Sequence, residues 1–122
     1  MRIKSSKPSK QRKFLYTAPL HVRRKILSAH LSKELREKYT RRSMPLRKGD
    51  EVEVMVGEFK KKRGKISKIN IKKYKVYVDG VMRKRTTGVE VQVALHPSNL
   101  KIVSLGLEDK RRMKVLERKT KK

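Results

Sequence analysis

Cysteine and tryptophan are absent from this chain of 122 residues, and other aromatic residues are few, with two Phe and four Tyr. The absence of cysteine excludes disulfide bonds and thiolate metal sites, and it is compatible with a cytosolic protein. No apolar run of about 18 residues occurs, so the sequence predicts no transmembrane helix. The N-terminal stretch is basic and lacks an apolar segment, and we expect no secretory signal there.

Acidic residues are also scarce, because 37 Lys and Arg face 11 Asp and Glu, which leaves a formal net charge of +26. A charge of this size repels itself in a compact state and is usually matched by a polyanion. Nucleic acid is the commonest such partner. A membrane surface is the alternative, but no helical stretch shows a wide apolar face opposite a basic one. The composition therefore favours a nucleic-acid-binding protein.

Charge and patterning divide the chain into three predicted parts. We expect a basic N-terminal arm with short helices at residues 1–45, a small β-barrel at 46–105, and a basic C-terminal helix or tail at 106–122. Residues 1–13 are polar and basic, which is typical of an extended, disordered segment that orders on a partner. The other predicted elements outside the barrel are helix Pro19–Ser28, helix Lys33–Tyr39 with Ser32 as its N-cap, linker Thr40–Pro45, and helix Glu108–Lys119.

The central part carries the β pattern, with apolar residues alternating on both sides of a glycine-bracketed basic loop. A bulge is expected near Lys68, where Ile66 and Ile69 fall out of phase. Short strands at this spacing predict a mainly β fold, a small barrel of the SH3 type. The predicted strands are Glu51–Val56, Gly64–Ile71, Tyr74–Asp79, Val81–Arg85, Val89–Leu95 and Leu100–Leu105.

No pattern in the sequence indicates catalysis, a metal or a cofactor. His21, His30 and His96 are scattered among cations without acidic neighbours at ligand spacing. The interval from Gly57 to Gly64 is wrong for the phosphate-binding loop G-x-x-x-x-G-K-[ST], and the Ser or Thr that this loop requires is missing. We therefore expect no enzyme and no small-molecule substrate.

Clusters of cations are the candidate binding residues. A lysine run can simply keep an edge strand soluble, but in a chain of this charge we favour contact with phosphates. Gly64 has two open interpretations, a turn residue or a point where a nucleic-acid backbone approaches closely. The cationic candidates are Arg12, Lys13, Arg23, Arg24, Lys25, Arg41, Arg42, Lys60, Lys61, Lys62, Arg63, Arg83, Lys84 and Arg85.

The stretch LRKGDEVEVMVGEFKKKRGKISKI resembles a KOW motif, with Lys48-Gly49-Asp50, alternating valines, Gly57 and Gly64-Lys65-Ile66. The flanking segments Tyr16–Asp50 and LHPSNLKI (Leu95–Ile102) resemble the KOW-containing protein family of the large ribosomal subunit. That family is numbered twenty-four in bacteria and archaea and twenty-six in eukaryotes. The resemblance covers about Tyr16 to Lys119, and its N-terminal extension and short C-terminus are similar to the archaeal type.

The resemblance implies an SH3-like barrel bound to the 5′ domain of the large rRNA, near the exit of the polypeptide tunnel, with an early role in subunit assembly. It implies a cytoplasmic ribosomal location, with neighbouring large-subunit proteins as partners and no membrane. Many members have a glycine inside the basic loop, and this chain departs from them there. The resemblance adds these implied RNA contacts: Arg47, Lys48, Gly64, Lys65, His96, Ser98 and Asn99.

Two other functions share some of these features. A KOW-type transcription elongation factor, or another non-ribosomal RNA-binding protein, would also carry a basic KOW barrel. A chromatin-reader barrel would need an aromatic cage. Its candidates Phe59, Tyr74 and Tyr77 are few and scattered along the sequence.

Overall fold

The structure is a computed structural model that describes residues 4–120, with the side chains of residues 119 and 120 outside the description. The helices and the strands contain similar numbers of residues. The helices are α1 (Pro8–Thr17), α2 (Leu20–Ile26), α3 (Lys33–Tyr39) and α4 (Lys110–Thr120). The strands are β1 (Ser28–Leu31), β2 (Ser43–Pro45), β3 (Glu51–Val54), β4 (Arg63–Asn70), β5 (Lys75–Val78), β6 (Met82–Lys84), β7 (Glu90–Gln92) and β8 (Leu100–Ser104). A short 3-10 turn spans Pro97–Asn99.

Six strands form one mixed sheet in the order β2-β1-β8-β3-β4-β5, and β6 and β7 form a separate hairpin. The pairing of β1 with β8 is parallel, whereas the other neighbours run antiparallel. Strands β2 and β5 stand at the two ends, so in the described part of the chain the six-stranded sheet is open. The predicted β pattern is thus confirmed as a mixed sheet carrying four helices.

The core lies on the face of the sheet to which the alternating residues point. Val52 and Val54 on β3, and Val76 and Val78 on β5, are all buried, while the residues between them are partly exposed. Ile66, Leu100 and Ile102 join them from the neighbouring strands. Because side chains alternate along a strand, this pattern directs one apolar face inwards and leaves the other for charge.

The six predicted strands are confirmed, five with shorter bounds and β4 shifted by one residue, from Gly64–Ile71 to Arg63–Asn70. Strand β3 ends at Val54, whose carbonyl accepts the amide of Lys61 at 2.8 Å. Val56 lies outside the strand, and 60% of its surface is exposed. The predicted bulge is confirmed as a register shift between Ile66 and Lys68.

Two strands, β1 and β2, were not predicted from the sequence. The end of the predicted helix Pro19–Ser28 is wrong, since α2 stops at Ile26 and Ser28 begins β1. The predicted linker is wrong over Ser43–Pro45, which forms β2 and pairs with β1. Buried Ala29 and Leu31 place β1 in the core. The predicted boundary at residue 45, between the N-terminal arm and the β region, stays a prediction. Strands β1 and β2 lie on the N-terminal side of this boundary and nevertheless hydrogen-bond into the sheet.

The predicted disordered arm is wrong from Pro8 onwards, because α1 begins there; residues 1–3 lie outside the described residues. Proline at a first helical position has a fixed φ suited to the helix and no N–H to leave unpaired. Every side chain of α1 is at least partly exposed. The predicted cap of α3 is confirmed, because Ser32 Oγ accepts the amide of Leu35 at 3.4 Å.

Helix α4 starts at Lys110, two residues later than predicted. Asp109 stands immediately before it, and its Oδ1 accepts the amide of Arg111 at 2.9 Å. This places a carboxylate at the positive end of the helix dipole, outside the helix rather than in its first turn.

A buried ion pair joins α4 to the sheet. Asp50 is fully buried and Arg112 is 4% exposed. The two outer nitrogens of Arg112 donate to the two carboxylate oxygens of Asp50, each at 2.6 Å. The same nitrogens donate to the carbonyls of Gly106 and Pro45 at 3.0 Å each.

The carboxylate is also held by backbone donors, Gly106 N–H to Oδ1 at 2.9 Å and Arg47 N–H to Oδ2 at 3.0 Å. A buried pair is stable only when hydrogen bonds satisfy both charges, as they do in this arrangement. Three separate segments meet here, namely the turn before β3, the chain after β8 and helix α4. The pair therefore fixes the C-terminal helix against the sheet.

We predict that Asp50→Asn lowers the free energy of unfolding by about 3–5 kcal/mol, because it leaves the Arg112 charge buried without a counter-charge. Denaturation by urea measures the loss. Asp109→Asn is the matched control, because it removes an ion pair at the surface, where solvent screens the charges and the loss is expected to be much smaller. Equal losses in the two variants would contradict the structural role assigned to the buried pair.

Candidate nucleic-acid interface

The basic loop between β3 and β4 is a hydrogen-bonded turn. The amide of Lys60 donates to Gly57 O (3.2 Å), and that of Lys62 to Phe59 O (3.1 Å). Lys61 has a φ of +72°, a conformation that glycine favours. The turn therefore places a lysine in a left-handed conformation that a glycine would adopt more readily. The side chains of all three lysines are exposed.

Acidic residues tie this loop to its surroundings. Arg63 and Lys101 lie 3.5 Å and 3.2 Å from the same carboxylate oxygen of Glu53. Glu58, at the start of the loop, pairs with Arg83 on β6 at 2.6 Å. The ammonium group of Lys62 lies 5.0 Å from the centre of the Phe59 ring. Arg63 and Arg83 are thus positioned by carboxylates and still largely exposed.

The hairpin β6–β7 extends the cationic surface beyond the loop. Residues 82–90 are all exposed, including Lys84 and Arg85. The turn is closed by bonds from Arg85 N–H to Val89 O and from Gly88 N–H to Arg85 O, each 2.9 Å. Because Arg83 is joined to Glu58, the hairpin and the basic loop form one continuous surface.

Arg23 has an internal role that the sequence analysis missed. Its guanidinium donates to the carbonyls of Ala18 (2.8 Å), Lys72 (2.8 Å) and Tyr16 (2.5 Å). It also lies 5.5 Å from the centre of the Tyr74 ring. Three of its five donor groups are therefore engaged in holding the α1–α2 turn to the β4–β5 turn.

The other cations of the arm differ in exposure. Arg24 and Lys25 on α2 are exposed, as are Arg12 and Lys13 on α1. Arg42 is exposed, whereas Arg41 is half-buried and its Nε has no hydrogen-bond partner among the described residues. This nitrogen is itself buried, so it is an unsatisfied donor inside the protein.

Arg47 is held by Asp109, with a nitrogen-to-oxygen distance of 2.6 Å. This hydrogen bond, together with the amide of Arg111, holds the pKa of Asp109 below its usual value, so the carboxylate is charged at neutral pH. Lys48 is the next residue and is exposed. The Asp50 pair fixes the turn that presents both cations.

The segment from His96 to Asn99 forms the short 3-10 turn beside the end of β3. His96 Nδ1 accepts the amide of Ser98 at 3.2 Å and lies 2.7 Å from Ser98 Oγ. Asn99 O accepts the amide of Met55 at 2.8 Å. The backbone is thereby fixed, with His96 and Ser98 exposed and Asn99 half-buried.

Gly64 lies within β4, and the turn interpretation of this residue is wrong. A Cβ atom at this position would lie 2.4 Å from Asp79 O and 3.0 Å from Val78 Cγ1. The carbonyl of its neighbour Lys65 accepts the amide of Asp79 at 2.9 Å. Glycine is thus required by the chain's own packing, and Lys65 presents an exposed cation beside it.

A groove between α2, β2, the end of β4 and α4 was not predicted. Its volume is about 790 Å³, and both apolar and cationic side chains line it. Its residues come from distant parts of the chain, so no local sequence signal could have revealed it. They include His21, Arg24, Leu27, Met44, Leu46, Lys48, Ile69, Ile71, Arg111 and Val115.

Between residues 4 and 120, no helix is long and apolar enough to cross a membrane. The described side chains form no group of three or more metal-binding residues. The candidate functional feature is the cationic surface formed by the basic loop, the hairpin and the exposed cations of α1 and α2.

Comparison with known proteins identifies the family. Residues 5–119 match the family of ribosomal proteins described as L26 in eukaryotes and as its L24 counterpart in archaea. The chain belongs to this family. It is 49% identical to large ribosomal subunit protein uL24 of Korarchaeum cryptofilum over 119 residues, covering 98% of this chain and 91% of that protein. It is 46% identical to the uL24 protein of Methanosphaera stadtmanae over 115 residues, covering 94% of this chain and 98% of that protein.

Membership of this ribosomal family confirms the resemblance drawn from the KOW motif and its flanks. It also confirms that the chain is a ribosomal protein and not an enzyme. Which of the cations touch RNA stays a prediction.

We predict that Gly64→Ala lowers the free energy of unfolding by about 1–3 kcal/mol in the absence of RNA, because the new methyl group overlaps Asp79 O. Thermal or urea denaturation of the free protein measures this. Lys65→Ala is the control, since its exposed side chain can be truncated without a clash. An unchanged stability of Gly64→Ala would favour close approach of RNA as the reason for the glycine.

Proposed function

We propose that this chain binds the 5′ domain of the large-subunit rRNA, as a structural constituent of the large ribosomal subunit in the cytoplasm. The observation that carries this proposal is the basic loop, where exposed Lys60, Lys61 and Lys62 stand on a backbone fixed by hydrogen bonds. A fixed loop presents several charges to phosphates without losing much conformational freedom on binding.

We further infer that the barrel region is SH3-like. Beyond β5, the chain pairs again through two bonds between Val76 and Leu95, both 2.8 Å. Val93 N–H also donates to Val81 O at 3.2 Å. These bonds carry strand pairing past the open edge of β5 towards the hairpin, as expected of a small, partly open barrel.

The proposed contacts fall into two groups. Exposed cations of the loop, the hairpin and helices α1 and α2 bind phosphates directly, and Lys48, Lys65 and the 96–99 turn join them. Arg23 and Arg47 act mainly by holding the surface in place, since each is already bound within the protein. Contacts to phosphates position a protein on RNA and carry little sequence information.

The proposed mechanism is neutralisation of phosphate charge. Each Lys or Arg that meets a phosphate releases bound counterions, which favours association and allows RNA helices to pack closely. Helix α1, with all its side chains at least partly exposed, gains its packing partner on the RNA. We propose that this joining of rRNA segments occurs early in subunit assembly, near the exit of the polypeptide tunnel and beside other large-subunit proteins.

The function is tested by replacing Lys60, Lys61, Lys62 and Arg63 together with Ala. We expect weaker binding to large-subunit rRNA and a salt dependence flatter by about 0.7–0.9 per lost phosphate contact. Filter binding across a series of salt concentrations measures both quantities.

The matched control removes four lysines outside the proposed contact set, namely Lys68, Lys72, Lys73 and Lys75. It should change the salt slope less than the loop variant does. A loop variant with an unchanged slope would show that the loop faces solvent. Equal changes in both variants would show that binding depends on total charge alone.

A further inference from the structure

The groove between α2 and α4 has a floor and a rim of different chemistry. We call its buried and half-buried apolar side chains, such as Leu27, Met44 and Ile71, the floor. We call its exposed side chains the rim, namely Arg24, Lys48 and Arg111, together with His21. The volume of about 790 Å³ lies within the range of small-ligand sites, about 300–1,000 Å³.

All charged side chains that line the groove are cationic. No Asp or Glu lines it among the described residues. Two other lining arginines are already neutralised, because Arg112 is paired with Asp50 and Arg47 with Asp109. Arg24, Lys48 and Arg111 therefore present positive charge to an occupant, over a surface that is better covered by an apolar group than by water.

We propose that this groove receives one unstacked nucleotide of rRNA, with its base on the apolar floor and its phosphate at the cationic rim. A nucleotide has both chemistries in one group, a flat base whose faces stack on apolar surfaces and an anionic phosphate. The proposal rests on the rRNA-binding function above and names a site within it. It adds a base contact to a surface that otherwise meets only phosphates.

The chemistry of the rim favours RNA as the occupant. Single-stranded RNA is recognised when splayed bases stack on His rings or on Arg guanidinium planes. His21, Arg24 and Arg111 supply such groups from two different helices. A duplex backbone alone would meet the cations and leave the apolar floor uncovered.

The groove is held open by the buried ion pair. Arg112 contributes to its wall, and the bonds from this residue to Asp50 and to Pro45 O fix α4 relative to β2. The two sides of the groove are therefore positioned before RNA binds, which lowers the entropic cost of capturing a flexible nucleotide.

Ultraviolet crosslinking tests the site directly, using the full chain bound to its large-subunit rRNA. Zero-length crosslinks form where a base touches a side chain, and mass spectrometry locates them. We expect a crosslinked nucleotide on groove residues such as His21 or Met44. Crosslinks on the basic loop and hairpin with none in the groove would overturn the proposal, as would a neighbouring ribosomal protein crosslinked at the groove.

Val115→Trp supplies a second test, because its ring fills the groove and leaves every cation in place. We expect loss of the groove crosslink and an affinity for rRNA about fivefold or more weaker, the scale of one lost stacked base. The salt slope should stay unchanged, since no charge is removed. Unfolding of the variant is measured alongside, and the crosslinks of the unmodified protein decide the matter if it is poorly folded.

Met113→Trp is the matched control on the same helix. Two residues on a helix are separated by about 200°, and Met113 lines a different, smaller cavity with Tyr39 and Leu107. It should bind rRNA with normal affinity and keep the crosslink. Equal affinities of Val115→Trp and Met113→Trp would overturn the groove site while leaving rRNA binding intact. Absence of salt-dependent binding by the unmodified protein would instead overturn the proposed function.

Discussion

The buried pair of Asp50 and Arg112 is the interaction on which the rest of the structure depends. In a chain of net charge +26, the few carboxylates are used to position cations. Asp50 fixes α4, Asp109 holds Arg47, Glu53 faces Arg63 and Lys101, and Glu58 joins the basic loop to the hairpin through Arg83. Most of the other cations of the described residues lie at the surface. A protein built in this way is stable enough to keep its shape and still repels itself strongly until a polyanion is bound.

Local patterns in the sequence predicted a good part of the fold. Alternating valines located β3 and β5, the phase change at Ile66 located the bulge, and Ser32 located the start of α3. These features depend on neighbouring residues alone. Strands β1 and β2 were not predicted because their short segments have no strong strand pattern. They pair with each other, and β1 also pairs with β8, which lies about seventy residues later in the chain. The burial of Arg112 was not predicted either, because its partner Asp50 lies 62 residues earlier in the chain.

The sequence likewise predicted only part of the candidate site. Composition predicted that cations bind a polyanion, and the KOW motif with its flanks indicated the family, which the match over residues 5–119 confirms. The sequence could not separate cations that are bound within the protein, such as Arg23, from exposed ones such as Arg24. It also could not reveal the groove, whose walls come from both ends of the chain. Both distinctions depend on tertiary contacts, and no local pattern carries them.

The most direct test of rRNA binding is to crosslink the protein to RNA in cell extract and to sequence the bound RNA. We predict crosslinks concentrated near the 5′ end of the large rRNA, in particles that sediment with the large subunit. Crosslinks spread over messenger RNA with few on rRNA would contradict this function and would favour a KOW protein acting in transcription.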